Sequence, residues 1–214
     1  KRLFWIVALL VLCANAFLVS YLYHQAEDLA KIRAYSKAKT LHDYFLSMRF
    51  VYHKQFLESG IDLNDSTIGF LPAHALTHIS DDFLKRSTQG ITINNVSDRP
   101  RNPANKADAL ETKAIHYFNQ NPNQNETIEL IKDGKKEFFF FAAPLRIQPY
   151  CLVCHGEKNE VLPYIANRYD NAYGYKLGEV RGLTSIKISK NILFDEVVEL
   201  FWQEALFSSL VMLG

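Results

Sequence analysis

Two cysteines and a histidine lie within five residues of this chain, and they restrict its fold more than any other feature of the sequence. The cluster reads Cys151-Leu152-Val153-Cys154-His155 and is followed by Gly156. Composition does not explain it, because the whole chain contains only 3 Cys and 7 His. Two thiols spaced by two residues lie on one tight turn, where each can bond a different vinyl group of one porphyrin. The fold must therefore accommodate a group of that size.

The pattern predicts one covalently attached c-type haem. Cys151 and Cys154 would hold the porphyrin through thioethers, and His155 would bind the iron as its proximal ligand. An acceptor from elsewhere in the chain is expected to orient the other ring nitrogen of this histidine.

Two other interpretations of the cysteine pair are weaker. A disulfide closed over two residues would be strained and easily reduced. Structural zinc would need one or two further ligands, and no second CxxC or CxH completes a tetrahedral set. The third cysteine, Cys13, lies far away in an apolar run. Covalent haem is therefore the preferred interpretation.

Composition argues against several classes of function. The 24 basic and 23 acidic residues give a formal net charge of +1. No basic patch interleaved with aromatic residues is present, so nucleic acid is not an expected partner. The chain has no GxSxG, P-loop, HExxH or paired-carboxylate arrangement, so it is not expected to be an enzyme. An output enzyme such as a histidine kinase or cyclase can still follow in the full-length protein.

The beginning of the chain has the features of a membrane segment. Residues 3–23 carry no charge and are long enough to cross a bilayer of about 30 Å. Lys1 and Arg2 favour a cytoplasmic N-terminus. The sequence Ala14-Asn15-Ala16 resembles a signal-peptidase site, but the run stays apolar beyond it. We therefore expect an uncleaved transmembrane anchor over residues 1–23.

Residues 198–214 resemble the start of a second transmembrane helix, with a buried or interfacial amphipathic helix as the alternative. If both segments cross the membrane, residues 24–197 form an extracytoplasmic domain. The expected location is then a bacterial inner membrane, with this domain in the periplasm. Haem is attached covalently to bacterial proteins in that compartment, so topology and motif agree.

The pattern between the ends predicts several helices. Residues 24–59 lack Pro and Gly and repeat apolar residues at spacings of three and four, which indicates a long amphipathic helix continuous with the membrane span. Leu71-Pro72-Ala73 begins a second helix. Asn105, with Asp108 three residues on, is the expected cap of a third. The apolar stripe of the long helix comprises Leu41, Phe45, Met48, Tyr52 and Phe56. Upstream, Leu29 and Ile32 extend a seam that can pair with a second copy.

The strands are predicted at residues 90–94, 126–131, 136–147 and 180–188. Asp133-Gly134 indicates a hairpin. Four consecutive phenylalanines at 138–141 imply a strand covered on both faces. One face packs on helices, and the other either walls a haem pocket or is plain core. Asn191 or Ser189 is expected to cap the helix that follows the last strand. An α+β fold, with helices flanking an antiparallel sheet, follows from this order.

Five segments together resemble one known family: Arg101-Asn102-Pro103-Ala104-Asn105, Ala109-Leu110-Glu111, Ala143-Pro144-Leu145, Cys151 to Gly156, and Tyr173 to Gly182. The family comprises the c-type-haem, PAS-like extracytoplasmic sensor domains of bacterial membrane signalling receptors. The likeness spans roughly Lys37 to Ser189. It implies a PAS-like sheet, haem, and signalling rather than turnover. Some relatives use a cysteine as distal iron ligand, shortly before the region of Pro72-Ala73, and no cysteine stands there in this chain.

The sequence leaves the sixth ligand of the iron open. His53 and Met48 on the long helix, and His74 on the second helix, are the candidates. A water-bound or empty position, accessible to O2, NO or CO, is an equal alternative. Two further sets of side chains suit the rim of a porphyrin slot. Arginines suit the propionates, and the candidates are Arg99, Arg101 and Arg146. Tyrosines suit the porphyrin edge, and the candidates are Tyr164, Tyr169, Tyr173 and Tyr175.

These features predict the haem-binding sensor domain of a bacterial membrane receptor, which detects redox state or a diatomic gas and acts as a homodimer. The long helix and the last helix would carry a change in iron ligation to the membrane. The main alternative is a membrane-anchored c-type cytochrome for electron transfer, which needs an exposed haem edge and no moving helix. A sensor of small organic ligands, with the CxxC as a disulfide, is the second alternative.

Overall fold

The computed structural model describes the backbone of residues 1–199. It describes the side chains of all of these except residues 8, 11, 12, 14, 15, 18, 19, 22 and 57. The helices are α1 (Arg2–Glu58), α2 (Pro72–Arg86), α3 (Ala109–Gln120), α4 (Leu152–His155) and α5 (Pro163–Arg168). The strands are β1 (Ile91–Ser97), β2 (Thr127–Asp133), β3 (Lys136–Arg146) and β4 (Val180–Ser189). Short 3-10 helices span Ile68–Phe70, Pro103–Asn105 and Pro149–Cys151.

The chain forms two compact units. One unit is Lys37–Ser189, and the other combines Lys1–Ser36 with the residues from Lys190 onward. In the first, the strands form one antiparallel sheet in the order β1-β4-β3-β2. The α+β prediction with an antiparallel sheet is confirmed.

Strand β3 is covered on both faces, as its four phenylalanines predict. On one face Phe140 belongs to a core with Ile115 and Phe118 of α3. On the other face Phe141 is fully buried, and its ring lies 5.7 Å from the ring of His42 on α1. Successive side chains of a strand point to opposite faces, so the four consecutive phenylalanines contribute to the packing on both faces of the sheet. Each buried phenylalanine stabilises the fold by roughly 1.5–3 kcal/mol.

The predicted hairpin is present between β2 and β3. Asp133 pairs with Lys136, so Gly134 and Lys135 form a two-residue turn. Gly134 adopts a φ of +58°, a backbone conformation that glycine tolerates without strain. The Asp-Gly pair was therefore a reliable signal.

The N-cap of α3 is Asp108, so the expectation that Asn105 would cap this helix is wrong. Asp108 Oδ1 accepts a hydrogen bond from Glu111 N at 2.8 Å, and Glu111 Oε2 accepts one from Asp108 N at 2.9 Å. This reciprocal capping box satisfies two N–H groups at once. Asn105 instead ends a 3-10 helix, and its side chain donates to Thr77 Oγ1 at 3.1 Å.

The predicted apolar stripe of α1 is only partly right. Phe45 is buried, but the predicted position Tyr52 is 40% exposed. Leu29 (41%) and Ile32 (63%), which were expected to face a second copy, are exposed in the single chain. The fully buried positions are alanines at a four-residue spacing: Ala30, Ala34 and Ala38. Small side chains let a helix approach its neighbours closely, and a pattern scored on large apolar residues overlooks them.

In the unit formed by Lys1–Ser36 and the residues from Lys190 onward, two helices lie against each other. The helix after β4 begins at residue 190, so of the two predicted caps Ser189 directly precedes the helix and Asn191 lies within it. Lys190 Nζ lies 2.7 Å from Glu27 Oε1, and the rings of Tyr23 and Phe194 are 5.4 Å apart. The hydrogen bond from Lys190 lowers the pKa of the Glu27 carboxyl, although burial opposes the shift.

The two predicted membrane segments are not confirmed. Among the described residues, no helix is both long enough and apolar enough to cross a membrane. The second segment, 198–214, lies outside the described residues except for its first two positions. The anchor at 1–23 and the domain boundaries at 24 and 197 stay predictions.

Replacing Gly182 with alanine should destabilise the sheet. A Cβ at Gly182 would lie 2.7 Å from the carbonyl oxygen of Val96 on the neighbouring strand. We expect the free energy of unfolding to fall by about 1–3 kcal/mol in urea denaturation followed by circular dichroism. The matched control is Gly69→Ala, where a Cβ meets open space, and it should change stability by less than about 0.5 kcal/mol. Equal effects of the two substitutions would contradict the packing argument.

Candidate functional site

The cysteine and histidine cluster occupies two successive tight turns. The 3-10 helix Pro149–Cys151 leads directly into α4, Leu152–His155. Proline suits the first position of a helical turn, because its missing N–H would have no partner there. Cys151 and Cys154 are half-buried free thiols and are not joined in a disulfide. The tight turn expected for the pair is therefore present.

Glycine follows the histidine for a steric reason. Gly156 N donates to Leu152 O at 2.8 Å, and a Cβ on Gly156 would lie 2.7 Å from that oxygen. The chain then folds against a later segment: Gly174 N donates to Gly156 O at 2.9 Å, and Tyr175 N donates to His155 O at 3.0 Å. These bonds join the cysteine turn to the tyrosine-rich segment.

The imidazole of His155 is held in one orientation. Its Nδ1 lies 2.9 Å from the carbonyl oxygen of Ala172, and the Tyr175 ring stacks parallel to it at 4.8 Å. A carbonyl only accepts hydrogen bonds, so Nδ1 carries the proton in this pair. The lone pair of the neutral ring is then on Nε2, as in histidines that bind metals through Nε2.

The carbonyl of Ala172 is aimed by an unusual backbone. Ala172 has a φ of +62°, the one positive φ among the described non-glycine residues. A left-handed alanine costs about 1–2 kcal/mol relative to ordinary backbone. The residue is 2% exposed and lies in a small core with Ile147 and Tyr175. Packing thus holds a strained conformation that serves the histidine.

Arg101 ties this segment to the cysteine turn. Its guanidinium donates to the carbonyl oxygens of Cys154 and Ala172, the latter at 3.2 Å. It also lies over the Tyr169 and Tyr173 rings, at 5.2 and 4.9 Å from their centroids. Arg101 was one of three candidate propionate partners, with a water-facing side chain as the alternative; its donors hold main-chain oxygens here.

The other two predicted propionate partners also have main-chain contacts. Arg99 Nη2 donates to Tyr173 O at 2.9 Å, and Arg146 Nη2 donates to Gln124 O at 2.9 Å. Each guanidinium has further N–H groups, so both remain able to meet an anion.

Burial sets the charge state of the cluster. It lowers the pKa of His155 to about 4, with the Arg101 cation as a smaller cause, so the imidazole is neutral near pH 7. Burial also raises the pKa of the Cys154 thiol, although Arg101 opposes the shift. The Cys154 thiol is therefore protonated near pH 7.

A cavity of about 1060 Å³ lies beside the cluster, within the unit Lys37–Ser189. Cys151, Cys154 and His155 all line it. Its volume is at the upper end of the roughly 300–1,000 Å³ typical of ligand sites. The end of β3 and the residue after it, Pro144 to Ile147, line the cavity. None of the four phenylalanines at 138–141 does. Those rings are therefore core and not pocket wall.

Comparison with known proteins identifies the family of this fold. The family model described as Tll0287-like matches residues 25–189, well over half of the chain. This chain belongs to the Tll0287-like family. A similar solved structure is the crystal structure of the cyanobacterial heme-protein Tll0287, with 24% sequence identity and a TM-score of 0.54. The match covers 72% of this chain and 93% of that chain, and at this identity it shows the fold alone. The curated proteins contain no match.

The three candidate distal ligands of this Tll0287-like chain have different surroundings. His53 and His74 line the cavity, whereas Met48 is not among its described lining residues. The Nε2 of His53 is buried, with no hydrogen-bond partner among the described residues. His74 Nε2 lies 3.3 Å from the Tyr169 hydroxyl. Burial lowers the pKa of both histidines, helped by Arg49 for His53 and Arg168 for His74.

Sequence analysis missed two parts of the site. His42 also lines the cavity, and its Nδ1 is buried without a described partner. The stacking of Tyr175 on His155 was not foreseen either, although Tyr175 stood among the predicted rim tyrosines. Of those, Tyr169 and Tyr175 line the cavity, and Tyr164 and Tyr173 are not among its described lining residues.

The zinc interpretation gains no support. Over the described part of the chain, no group of three or more His, Cys, Asp or Glu side chains is arranged to hold a metal ion. A structural zinc site needs four such ligands. A porphyrin brings four nitrogen ligands of its own, so a single protein histidine suffices for it.

Replacing Arg101 with methionine should loosen the cysteine turn. The carbonyl oxygens of Cys154 and Ala172 would lose their guanidinium donor, so the free energy of unfolding should fall by about 1–3 kcal/mol in urea denaturation. The control is Arg86→Met, because Arg86 is 79% exposed and pairs only with Asp82 at the surface. That change should cost less than about 0.5 kcal/mol. A loss no larger for Arg101→Met than for the control would contradict the assigned role.

Proposed function

We propose that this chain binds one haem covalently, through thioethers from Cys151 and Cys154, with His155 as the proximal iron ligand. The observation that carries the proposal is the orientation of His155, whose Nδ1 is engaged by Ala172 O at 2.9 Å beside two free thiols. All three side chains border a cavity of about 1060 Å³. A similar solved structure is that of a haem protein, which supports the assignment.

The residues present fit this group. The Cys151 and Cys154 thiols are free to add across two vinyl groups, and the neutral His155 ring, stacked on Tyr175, keeps the lone pair of Nε2 for iron. When bound, haem supplies an iron that changes oxidation state and can take a diatomic ligand. The chain contributes the orientation of the imidazole, through Ala172, and a fixed cysteine turn, through Arg101.

We further propose that the domain is the periplasmic sensor of a bacterial inner-membrane receptor, acting as a homodimer and detecting redox state or O2, NO or CO. Two contacts support a signalling role: the Glu27–Lys190 ion pair at 2.7 Å and the Tyr23–Phe194 ring pair at 5.4 Å. They join α1 to the helix of residues 190–199, through which a signal would leave. The exposed Leu29 and Ile32 are available to a second copy.

One observation favours a second candidate, an electron-transfer cytochrome. Val153, between the two cysteines, is 38% exposed. An exposed attachment turn brings a haem edge near solvent, where electrons can pass to a partner. Such a carrier does not need a change in the two helices.

Single replacement of either cysteine should leave one thioether. In chain produced with c-type haem maturation machinery, we expect Cys151→Ala and Cys154→Ala each to shift the alkaline pyridine haemochrome band to longer wavelength, since one vinyl group stays conjugated. The double variant should retain no covalent haem. Cys13→Ala is the matched control and should give the unshifted wild-type spectrum. Wild-type chain without a haemochrome would refute the proposal.

Hydrogen–deuterium exchange separates the sensor from the electron carrier. For a sensor, the exchange of residues 24–36 and 190–199 should differ between ferric and ferrous chain, or on addition of CO to the ferrous form. The edge strand β2 serves as an internal reference. Unchanged exchange in both helical segments, together with rapid electron exchange with small redox proteins, would favour the cytochrome.

A further inference from the structure

We propose that His53 supplies the second axial ligand of the iron, so that histidine binds on both sides of the haem. The inference rests on the covalent haem proposed above. It assigns a role that the sequence left open among His53, His74, Met48 and an empty position.

An unsatisfied nitrogen distinguishes His53 from His74 and Met48, the two other candidate residues, although His42 shares this feature. The Nε2 of His53 is buried and has no hydrogen-bond partner among the described residues. A buried polar atom without a partner costs about 1–3 kcal/mol, so such atoms usually belong to a ligand, ion or water. The neutral imidazole is also the commonest metal ligand in proteins. Coordination to iron accounts for a nitrogen that the polypeptide leaves unpaired.

The position of His53 matches that role. Its ring centroid lies 4.5 Å from that of Tyr150, and Tyr150 directly precedes Cys151. The histidine is therefore at the end of the cavity where the cysteine turn lies. Both His53 and Tyr150 line the cavity.

Helix geometry separates Met48 from His53. Five residues at 100° each turn Met48 about 140° away from His53 around α1. This rotation alone does not exclude Met48, because Val51, about 160° from His53, lines the cavity. Met48, however, is not among the described lining residues.

Apart from His155, the other histidines that line the cavity are His42, His74 and His78. His78 is exposed, and the remaining two are less suited than His53. His74 Nε2 already lies 3.3 Å from the Tyr169 hydroxyl. His42 shares the face of His53 but lies about 16 Å away along the helix, at 1.5 Å per residue. Its ring lies 5.7 Å from Phe141 in the middle of β3. His42 is therefore remote from the end of the cavity that holds Tyr150.

A second histidine ligand changes what the site responds to. An iron with six ligands has no vacant position, so a diatomic gas must displace His53 before it binds. A change of oxidation state needs no displacement, which favours redox state as the direct stimulus. His53 also lies on α1, the helix that begins at Arg2.

The test is the spin state of the ferric, haem-loaded full chain, measured by electron paramagnetic resonance and visible absorption. Wild type should be low-spin. His53→Ala should lose the low-spin signal and become high-spin, and added imidazole should restore it. His53→Met should gain the charge-transfer band of methionine-ligated ferric haem. His42→Ala, His74→Ala and Met48→Leu are the competing-ligand controls and should stay low-spin.

Other outcomes would overturn the assignment. A high-spin wild type means that no second protein ligand is bound. A His53→Ala variant that keeps the wild-type low-spin spectrum, or a control that becomes high-spin in its place, means that another residue is the ligand. Imidazole addition to His53→Ala and the spectrum of His53→Met show whether a changed spin state reflects loss of the iron ligand and not a failure to fold. Chain with no haemochrome would refute the covalent haem itself, and this inference with it.

Discussion

The hydrogen bond between His155 Nδ1 and the carbonyl oxygen of Ala172 is the interaction on which the rest of the site depends. It decides which ring nitrogen is left to bind iron, and it joins α4 to the segment that precedes β4. Because the carbonyl is presented from a left-handed alanine, the bond needs the packing around Ala172 to hold that backbone. Arg101 donates to the same oxygen and to Cys154 O, so one guanidinium ties both halves together.

Three features that reduce the stability of the fold are concentrated at this site. They are the strained Ala172 backbone, the half-buried Arg101 cation, and the Nε2 of His53, which has no partner among the described residues. Partial burial lowers the pKa of the Arg101 guanidinium. The core around Phe118 and Phe140 contains no such destabilising feature, since its members are apolar and buried. A fold that concentrates strain and unpaired groups beside one cavity has the pattern expected of a binding site.

The signals that predicted the fold correctly were local ones. Asp133-Gly134 predicts its hairpin because the turn needs a positive φ, and the phenylalanine run predicts a strand buried on both faces. The face of α1 was harder, because buried alanines carry little hydrophobic signal and exposed Leu29 and Ile32 carry much. The cysteine turn was also predictable, but the contacts that orient His155 come from residues 17 to 54 positions away along the chain. Residue spacing along α1 does not show which of its side chains line the cavity. That information comes from the structure, and it favours His53 over Met48 as the distal ligand.

Intact-protein mass after extraction with acidified acetone tests the central claim most directly. The solvent removes haem that is held only through its iron and leaves haem that is bonded to cysteine. For chain produced with c-type haem maturation machinery, the account predicts that the mass of one haem stays with the polypeptide after extraction. A polypeptide that returns to its haem-free mass, with the haem recovered in the acetone, would contradict the account.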